Sequence, residues 1–475
     1  MDHPMLSALA GAVHVLLSIL ATLHILRSKQ DVRAAIGWVA AAWFAPFFGP
    51  FAYFLLGINR IRRHAEARRG RLGGGEPPHP GAEKPALDSL DPTAAPRFVA
   101  HAELAARLTG YPLVPDNAIE MLIDGDAAYP AMLEAIAAAK DSILLSTYIY
   151  DWDPVGRSFA EALVKAKARG VRVHVLVDAV GSLGIARRLR TMGLDAKAFN
   201  PPGLQHLAFL NLRTHRKLLL IDGRIGFSGG MNIRGVHRSE KGRPLSVRDI
   251  MYRIEGPVIG QLFEVFEEDW RFATSERLPA DMRPAPRADR PSVGAVMRAA
   301  PDGPEDEISI AGWILESALA VARRQVRITT PYFLPDLTLM SALSQAALRG
   351  VRVDILVPER SDHRLVGWAS EAHFPLLVER GCHIHLTPAP FDHTKLMVVD
   401  GYWAFIGSSN WDMRSLRLNF ELNIEIYDSA FAQILDRHLA DRIRSTRRIA
   451  PEELPRLGSL RHYRNRAAWL LSPYL

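Results

Sequence analysis

The sequence predicts an α/β protein in which two tandem copies of one domain, each a mixed central sheet flanked by helices, follow an N-terminal transmembrane helical hairpin. Three observations predict this fold class. Two long stretches near the N-terminus lack charged residues, three sequence blocks recur in the same order roughly 180 residues later, and Ala- and Leu-rich stretches alternate with β-branched runs within each copy. The composition, 48% hydrophobic and 23% charged, excludes a wholly disordered or collagen-like chain.

The predicted hairpin occupies residues 1–60. No Asp, Glu, Lys or Arg occurs from Met5 to Leu26 or from Ala34 to Ile58, and each stretch reaches the roughly 20 residues that a helix needs to cross a hydrocarbon core. A cleavable signal peptide is the alternative for the first stretch, but the first four residues lack a basic group and a second apolar stretch follows at once. Prolines and glycines in the second stretch predict a kink or a position partly in the membrane interface.

Residues 61–115 are predicted to be a basic segment and flexible linker. Six arginines lie between residues 59 and 71, and residues 72 to about 100 are rich in Gly and Pro without apolar periodicity. Because basic residues stay on the cytoplasmic side of a membrane, the arginines place the N-terminus and the bulk of the chain in the cytoplasm. We therefore expect a multi-pass protein of the cell (inner) membrane whose catalytic domains face the cytoplasm.

The chain carries 58 basic and 51 acidic residues, a net charge of +7. This balance indicates an anionic partner and leaves open nucleic acid, a lipid headgroup, a phosphorylated substrate, or a basic surface that serves only solubility. The single cysteine, Cys382, cannot form an intramolecular disulfide. It fits a reducing compartment and is predicted to be a small buried core residue rather than a nucleophile.

The duplication divides the globular part into predicted domains at 116–285 and 286–475, joined by an Arg- and Pro-rich stretch at 279–291. An Asp-Gly turn dipeptide lies between two apolar runs of each copy. Such turns predict an antiparallel hairpin beside helix-connected strands, and therefore a mixed sheet. The matching blocks are 145–149 with 329–333, 168–178 with 348–358, and 215–223 with 393–401.

The chemistry-bearing residues lie in the third matching block. His215 and Lys217 in the first copy, like His393 and Lys395 in the second, are separated by one residue at the head of an apolar strand. Since side chains two residues apart on a strand face the same way, each His shares a face with its Lys. The imidazole can attack or protonate a substrate while the ammonium holds a negative charge. A single such pair usually belongs to an ordinary polar surface.

Each motif continues with an aspartate and a glycine-containing loop. Asp222 and Asp400 follow their lysines by five residues, an odd separation that turns them away from the Lys face, so we expect them to stabilise the turn. A Gly-Gly-Met-Asn sequence then ends at position 232, and a Gly-Ser-Ser-Asn sequence ends at position 410. Glycine permits close backbone approach, and amide or hydroxyl groups donate to phosphate oxygens. The candidate phosphate-binding side chains are Asn232, Ser408 and Asn410.

This motif, present twice at the spacing of the repeat, resembles that of the phospholipase D superfamily over roughly residues 116 to 475. The N-terminal hairpin with its Arg-rich exit and the C-terminal Leu-Leu-Ser-Pro-Tyr-Leu resemble more narrowly the bacterial phospholipase D-type cardiolipin synthases. Two positions depart from that pattern. Gly230 stands where the second copy has Ser408, and Val247 stands where many such synthases carry Trp.

The resemblance implies two phospholipase D-like domains that share one active site. His215 is assigned as the nucleophile that forms a phosphohistidine and His393 as the acid and base, while the near symmetry of the motifs leaves the reverse assignment open. Members also carry a carboxylate that orients each histidine, here Asp249 and Glu421, for which a surface ion pair is the alternative. No cofactor and no metal is expected, because no His/Cys/carboxylate cluster of metal spacing is visible. The catalytic set implied by the family motif is His215, Lys217, Asp222, His393, Lys395 and Asp400.

The favoured function is transfer of a phosphatidyl group between two phosphatidylglycerol molecules, which gives cardiolipin and glycerol. The expected partners are phosphatidylglycerol, other anionic membrane lipids and the bilayer. No nucleic acid is expected, because a membrane hairpin with a short tether suits a lipid diester better than DNA. The alternatives are a membrane-tethered phosphodiesterase, either a lipid hydrolase or a nuclease, and a non-catalytic scaffold, which two intact motifs disfavour.

Overall fold

The computed structural model describes residues 3–29, 32–57, 90, 95–201, 212–239, 245–284, 294–304 and 309–472. The chain divides into two compact units, Met1–His64 and Ala65–Leu475. The arginines between residues 59 and 71, most of the predicted linker, part of the joining stretch at 279–291 and the last three residues of the chain lie outside the described residues.

The N-terminal unit is built around one long apolar helix, α1 (His3–Ser28), followed by α2 (Val32–Phe44) and α3 (Phe48–Ala52). Within α1, Ser7–Ser28 is long and apolar enough to cross a membrane. Its leucines and valines are largely exposed, as a lipid-facing surface requires. The Ser18 hydroxyl donates to the Ala42 carbonyl at 2.7 Å and ties α1 to α2.

The second apolar stretch is not one continuous helix but is broken into shorter helices. Helix α2 ends at Phe44, and the chain turns at Pro46, which lacks a backbone donor, and at Phe47, whose φ is 60°. Helix α3 then begins close against α2. A Cβ at Gly49 would lie 1.8 Å from the Ala41 carbonyl oxygen, so only glycine fits this approach. The predicted kink is confirmed.

The first copy in the second unit alternates strands and helices as the sequence predicts. A helix, α4 (Ala95–Thr109), precedes it. The elements of the copy are β1 (Val114–Ile123), α5 (Asp124–Ala138), β2 (Ser142–Thr147), α6 (Pro154–Ala168), β3 (Arg172–Asp178), α7 (Ile185–Thr191), β4 (Asp195–Phe199), β5 (Leu218–Ile221), β6 (Ile225–Gly229), β7 (Val247–Arg248), β8 (Ile250–Glu255) and α8 (Val258–Thr274).

The second copy repeats this order and adds C-terminal elements. Its elements are β9 (Ala295–Asp302), α9 (Ile310–Val321), β10 (Gln325–Thr329), β11 (Phe333–Leu334), α10 (Leu337–Leu348), β12 (Arg352–Pro358), α11 (Arg364–Glu371), α12 (Phe374–Glu379), β13 (His383–Thr387), β14 (Phe391–Asp392), β15 (Leu396–Val399), β16 (Trp403–Gly407), β17 (Trp411–Asp412), α13 (Met413–Arg417), β18 (Glu421–Tyr427), α14 (Ser429–Arg444), β19 (Arg447–Arg448) and α15 (Leu460–Trp469).

Fifteen of the described strands, from both copies, join in one sheet. The first copy contributes the order β1-β8-β6-β5-β2-β3-β4, and the second contributes β9-β18-β16-β15-β10-β12-β13-β19. Antiparallel pairing of β1 with β9, at Asn117 and Ala295, connects the halves. The neighbours β2, β3 and β4 are parallel, whereas β2 pairs with β5 and β5 with β6 antiparallel. The predicted duplication and mixed sheet are therefore confirmed.

The hairpins β5–β6 and β15–β16 turn at the predicted Asp-Gly dipeptides. Asp222 and Gly223 have φ values of 52° and 60°, and Asp400 and Gly401 have values of 54° and 65°. Two successive positive φ angles define the turn type that matches the right-handed twist of a hairpin, and Asp-Gly tolerates it best. The same dipeptide therefore sets the register of the same hairpin in each copy.

Helix α4 corrects the predicted flexible linker at 61–115, because its last part is folded. Phe98, Ala102 and Ala105 are buried against the helices and strands of the second copy. Their spacing of four and three puts them on one helical face. His101 lies on the same side of the helix and contacts Glu425, with 3.1 Å between its Nε2 and the carboxylate. An apolar helical pattern was thus present within the stretch interpreted as a linker.

Candidate active site

The two His-x-Lys motifs meet where the copies contact each other through short parallel pairings. The backbone N–H of His215 donates to the Phe420 carbonyl at 2.8 Å, and that of His393 donates to the Arg248 carbonyl at 2.8 Å. Each histidine backbone is therefore held by the other copy. Both side chains line one cavity of about 770 Å³. The structure thus brings together the two histidines that lie far apart in the chain.

Each histidine also takes its orienting carboxylate from the opposite copy. The Nδ1 of His215 lies 2.9 Å from Glu421 Oε2, and the Nδ1 of His393 lies 2.7 Å from Asp249 Oδ2. Both carboxylates are buried, so they are not the surface ion-pair acids of the alternative interpretation. An Nδ1–H donated to a carboxylate leaves the Nε2 lone pair of a neutral imidazole free for chemistry. The sequence identified the acids but not this exchange between copies.

Burial and charge favour the neutral form of both imidazoles. Burial lowers the pKa of His215, and Glu421 partly opposes that effect. Burial, followed by the nearby Lys395 and Lys217, lowers the pKa of His393 well below its ordinary value. The neutral form is the one that can attack an electrophile or accept a proton.

The two orienting carboxylates differ in their own ionisation. Burial alone would raise the pKa of Glu421, but His215, Lys217 and the Ser408 hydroxyl together outweigh it and lower the pKa. Burial raises the pKa of Asp249 to about 6. Glu421 is therefore the more firmly ionised acid, which favours a positive charge on His215 more than on His393.

The lysines of the motifs lie near the carboxylates of Glu421 and Asp249, which act on both ammonium groups. Lys217 Nζ donates to the His215 carbonyl, and Lys395 Nζ donates to the His393 carbonyl. Burial lowers the pKa of Lys217 to about 7 and that of Lys395 to about 8. The site therefore holds ammonium groups whose charge an anion would stabilise.

Asp222 and Asp400 do not reach the cavity, which corrects their inclusion in the catalytic set implied by the family motif. The carboxylate of Asp222 accepts the backbone N–H groups of Lys140, Asp141 and Ser142 at 2.8 to 2.9 Å. Asp400 accepts the N–H groups that begin β10 in the same way. Both aspartates sit at the far ends of β5 and β15 from the histidines. These contacts agree with the turn-stabilising interpretation.

The two asparagines line the cavity, whereas Ser408 lies outside it. Asn232 and Asn410 line the cavity, and Asn232 Oδ1 accepts the Ile149 N–H at 3.0 Å, which leaves its NH2 group as a donor. The prediction that Ser408 binds phosphate is corrected. Its hydroxyl is buried, donates to Glu421 Oε2 at 2.5 Å and accepts the Leu422 N–H at 3.0 Å. Ser408 therefore holds the acid that orients His215.

Gly230 in the first copy occupies the position that Ser408 has in the second copy. The acid beside it, Asp249, explains the glycine. A Cβ at Gly230 would lie 2.4 Å from Asp249 Oδ1, so a larger residue fits only if that carboxylate moves. The shorter Asp249 reaches His393 only from a position that occupies this space. Glu421 is one methylene longer and leaves room for a serine. The first copy therefore has Asp and Gly where the second has Glu and Ser, and the two differences share one cause, because the acid in the first copy takes the space of the serine side chain.

Two tyrosines were missed as site residues. The ring of Tyr148 lies 5.1 Å from that of His215, edge to face, and the ring of Tyr332 lies 6.4 Å from that of His393. Both tyrosines line the cavity. The signal was available, because the matching blocks at 145–149 and 329–333 carry a tyrosine at the same position.

The sequence shows no His/Cys/carboxylate residues at the spacing of a metal site, but the fold brings three such residues together, which corrects that expectation. Among the described residues, Asp354, His383 and His385 place possible ligand atoms within 4.8 Å of one another. They lie on β12 and β13 and do not line the cavity of the histidines. Both rings contact Asp354 Oδ1, at 3.1 and 3.0 Å, and Arg352 Nε donates to Oδ2 at 2.8 Å. Hydrogen bonds within the protein therefore already occupy the cluster.

The doubled sheet and the shared pair of His-x-Lys motifs define an enzyme of the phospholipase D class. Residues 132–270 and 315–443 match the family model for the cardiolipin synthase phospholipase D-like domain, and residues 16–57 match the phospholipase D-nuclease N-terminal model. The chain belongs to the phospholipase D-type cardiolipin synthase family.

Relatives of similar length support this membership. Cardiolipin synthase A of Pseudomonas putida (strain W619) is 32% identical over 474 residues, which cover 98% of this chain and 97% of the relative. Cardiolipin synthase A of Pseudomonas entomophila (strain L48) is 33% identical and covers 98% of both chains. The crystal structure of phosphatidylserine synthase from Haemophilus influenzae Rd KW20 covers 79% of this chain and all of its own, with a TM-score of 0.62 and 18% identity. The last match confirms the fold.

Proposed function

We propose that this protein transfers a phosphatidyl group from one phosphatidylglycerol to another and releases glycerol, so that the product is cardiolipin. The observation that carries the proposal is the meeting of two buried histidines in one cavity, each with its Nδ1 on a carboxylate of the other copy. The names of the relatives that match nearly the whole chain support a lipid substrate. The reaction then proceeds in two displacement steps at one phosphorus.

In the first step, His215 Nε2 attacks the phosphorus of the donor lipid and forms a nitrogen–phosphorus bond. The bond from phosphorus to the headgroup oxygen breaks, and the proton carried by His393 Nε2 goes to that oxygen, so glycerol leaves. His215 is the better candidate for attack, because its partner Glu421 has a lowered pKa and stabilises the developing positive charge. An anionic diester beside the lysines raises the pKa of His393 towards the range of an acid.

In the second step, the free hydroxyl of another phosphatidylglycerol gives its proton to His393 Nε2 and attacks the phosphorus. The nitrogen–phosphorus bond breaks and cardiolipin forms. Lys217, Lys395, Asn232 and Asn410 would donate to the phosphoryl oxygens as negative charge builds up in each transition state. Their burial strengthens these interactions because water does not screen them.

The wall of the cavity supports a lipid rather than a soluble diester. Apolar side chains line it beside the polar groups, among them Leu334, Val366 and Phe391. A surface of this kind suits the glycerol backbone and the first methylenes of an acyl chain. Helix α1 would keep the protein at the membrane that contains the substrate, and the arginines at 59–71 favour a multi-pass arrangement with cytoplasmic catalytic domains.

Product analysis tests the proposal. Purified full-length protein is incubated with phosphatidylglycerol vesicles, with and without phosphatidylethanolamine, and the lipids are separated by thin-layer chromatography. We expect cardiolipin and free glycerol from phosphatidylglycerol alone. Phosphatidic acid as the main product would instead identify a hydrolase, and a requirement for phosphatidylethanolamine would identify a different donor or acceptor.

A further inference from the structure

The C-terminal helix α15 exposes apolar side chains on one face. Leu460, Tyr463 and Leu470 are 87%, 64% and 69% exposed, and Ala467 is exposed between them. Their spacing of three and four residues places them on one side of the helix. Leu457, which precedes the helix, is 89% exposed as well. We call these five residues the C-terminal apolar stripe.

The opposite face of α15 is polar and is bound to helix α11. Arg461 Nε and Asn465 Nδ2 donate to the Glu371 carboxylate at 3.1 and 2.9 Å. The Arg464 guanidinium stacks over the Trp368 ring at 4.6 Å. A helix on the surface of a water-soluble domain normally buries its apolar side and exposes its polar side. Here the polar side is already bound, so the stripe is held facing outward.

Helix α11 connects the stripe with the candidate active site. Arg364, Leu365 and Val366 at its N-terminal end line the cavity of the two histidines. Glu371 at its C-terminal end holds α15, and Val366 shares a small buried cluster with Ala468 of α15. The stripe is therefore connected through α11 to the wall of the cavity, but none of its residues lines the cavity.

We propose that the C-terminal apolar stripe docks on an anionic phospholipid bilayer, with α15 lying in the plane of the interface. The inference rests on the proposed function, because a lipid-transferring site must meet lipids that remain in a membrane. Docking of α15 would bring the cavity wall formed by α11 to the bilayer surface. A lipid headgroup could then enter the cavity while its acyl chains stay largely in the membrane.

Charge favours a bilayer over a second copy of the chain. The segment from Arg456 to Ser472, ends included, contains four arginines and no Asp or Glu. Arg456 and Arg466 are exposed beside the stripe. Two such stripes facing each other in a dimer would bring like charges together, while an anionic leaflet attracts each basic residue at its surface. Helix α1 is long and apolar enough to cross a membrane and would tether the rest of the chain to a bilayer.

Site-specific labelling tests the docking directly, independently of activity. Cys382 is 2% exposed, and burial raises the pKa of its thiol to about 12, so an introduced cysteine reacts selectively. Full-length Leu460→Cys carries a fluorophore and is reconstituted in vesicles of phosphatidylglycerol and phosphatidylethanolamine that contain nitroxide-labelled lipid. Leu348→Cys is the matched control, because Leu348 is 64% exposed at the C-terminal end of α10.

We expect lipid quenching at position 460 and little at position 348. Equal quenching at both positions, or none at 460, would overturn the proposal. Spin labels at position 460 that couple between two copies, without contact to lipid, would identify a dimer interface and overturn it as well. Because this readout needs no turnover, it stays decisive even if phosphatidylglycerol is not the substrate.

A paired kinetic measurement links docking to the reaction. Leu460→Glu with Leu470→Glu should lower turnover on phosphatidylglycerol vesicles by more than about tenfold, since charges replace the apolar side chains that enter the interface. Turnover on a monomeric short-chain phosphatidylglycerol should stay within about twofold of the parent, because the cavity is untouched. Leu348→Glu should change neither rate. Equal losses on both substrates would show damage to the fold and contradict docking.

Discussion

His393 donates from Nδ1 to Asp249 Oδ2 across 2.7 Å, although the two residues belong to different copies of the repeat. His215 and Glu421 repeat the relationship in the opposite direction at 2.9 Å. Neither copy therefore contains a complete histidine–acid pair. The chemistry of each half therefore depends on the placement of the other half.

Replacement of either histidine should abolish cardiolipin formation. With His215→Ala the nucleophile is gone, whereas His393→Ala removes only the acid, a loss of roughly 10²- to 10⁴-fold. A donor lipid with a nitrophenol leaving group needs no acid. We therefore expect His393→Ala, but not His215→Ala, to release a burst of nitrophenol and to retain phosphorus after rapid denaturation. A burst from His215→Ala alone would reverse the two roles.

Ser408→Ala should lower turnover less than Glu421→Gln does. The serine acts only through the carboxylate, and its loss removes one hydrogen bond to a charged group, worth about 1.5–3 kcal/mol. Because that bond helps to lower the pKa of Glu421, its removal should shift the acidic limb of the rate profile to higher pH. Ser408→Thr, which keeps the hydroxyl, is the matched control. An unchanged profile in Ser408→Ala would separate Ser408 from the histidine.

Gly230→Ala should inactivate the protein and lower its thermal stability. The added Cβ would meet Asp249 Oδ1 at 2.4 Å and displace the carboxylate from His393. Gly260→Ala serves as the control, because Gly260 lies in α8 with no atom within 4 Å of its Cβ position. We expect that change to be neutral or stabilising by up to about 1 kcal/mol. Melting temperature and turnover together distinguish the two glycines.

Lys217→Met should remove activity but raise thermal stability below neutral pH. The folded-state pKa of Lys217 is about 7 and lies below the ordinary value of 10.5, so the unfolded chain binds the proton more tightly. The buried charge is therefore fully destabilising below pH 7, and its cost fades as pH rises towards 10.5. The melting-temperature difference between variant and parent should shrink accordingly. A constant difference across this range would contradict the lowered pKa.

Asp222→Ala should act on stability and not on chemistry. The carboxylate holds three backbone N–H groups at the start of β2, and its removal should cost roughly 2–3 kcal/mol. Turnover per folded molecule should stay within about twofold below the melting transition. Asp222→Asn is the matched control, because its side-chain oxygen can still accept part of this set. A hundredfold loss of turnover without unfolding would restore Asp222 to the catalytic residues.

Local pattern was sufficient for much of the fold. The Asp-Gly dipeptides marked the two hairpins that the structure contains, and the repeated block marked His215 and His393, which line one cavity. The role of Ser408 was not predictable, because a hydroxyl next to a glycine serves a phosphate or a carboxylate equally well. The exchange of Asp249 and Glu421 between copies depends on how the two halves of the sheet join, which no local spacing encodes.

In the N-terminal region, too, local sequence predicts some features and tertiary structure decides others. Charge-free length predicts that a stretch can enter a membrane, but the positive φ of Phe47 decides that the second stretch breaks. Helix α4 was overlooked because a Pro-rich neighbourhood outweighed the spacing of Phe98, Ala102 and Ala105. In both places, packing against a partner decided the outcome.

The crossed histidine–acid pairs bear on how such a chain could arise. A single ancestral copy would carry a histidine and an acid that cannot reach each other, so only a symmetric dimer would be active. Fusion of two copies into one chain makes their encounter independent of protein concentration, and the pairing of β1 with β9 joins them. It also allows the two halves to differ in sequence. One half now has Gly230 with Asp249 and the other has Ser408 with Glu421, a difference that two identical subunits of a homodimer could not have.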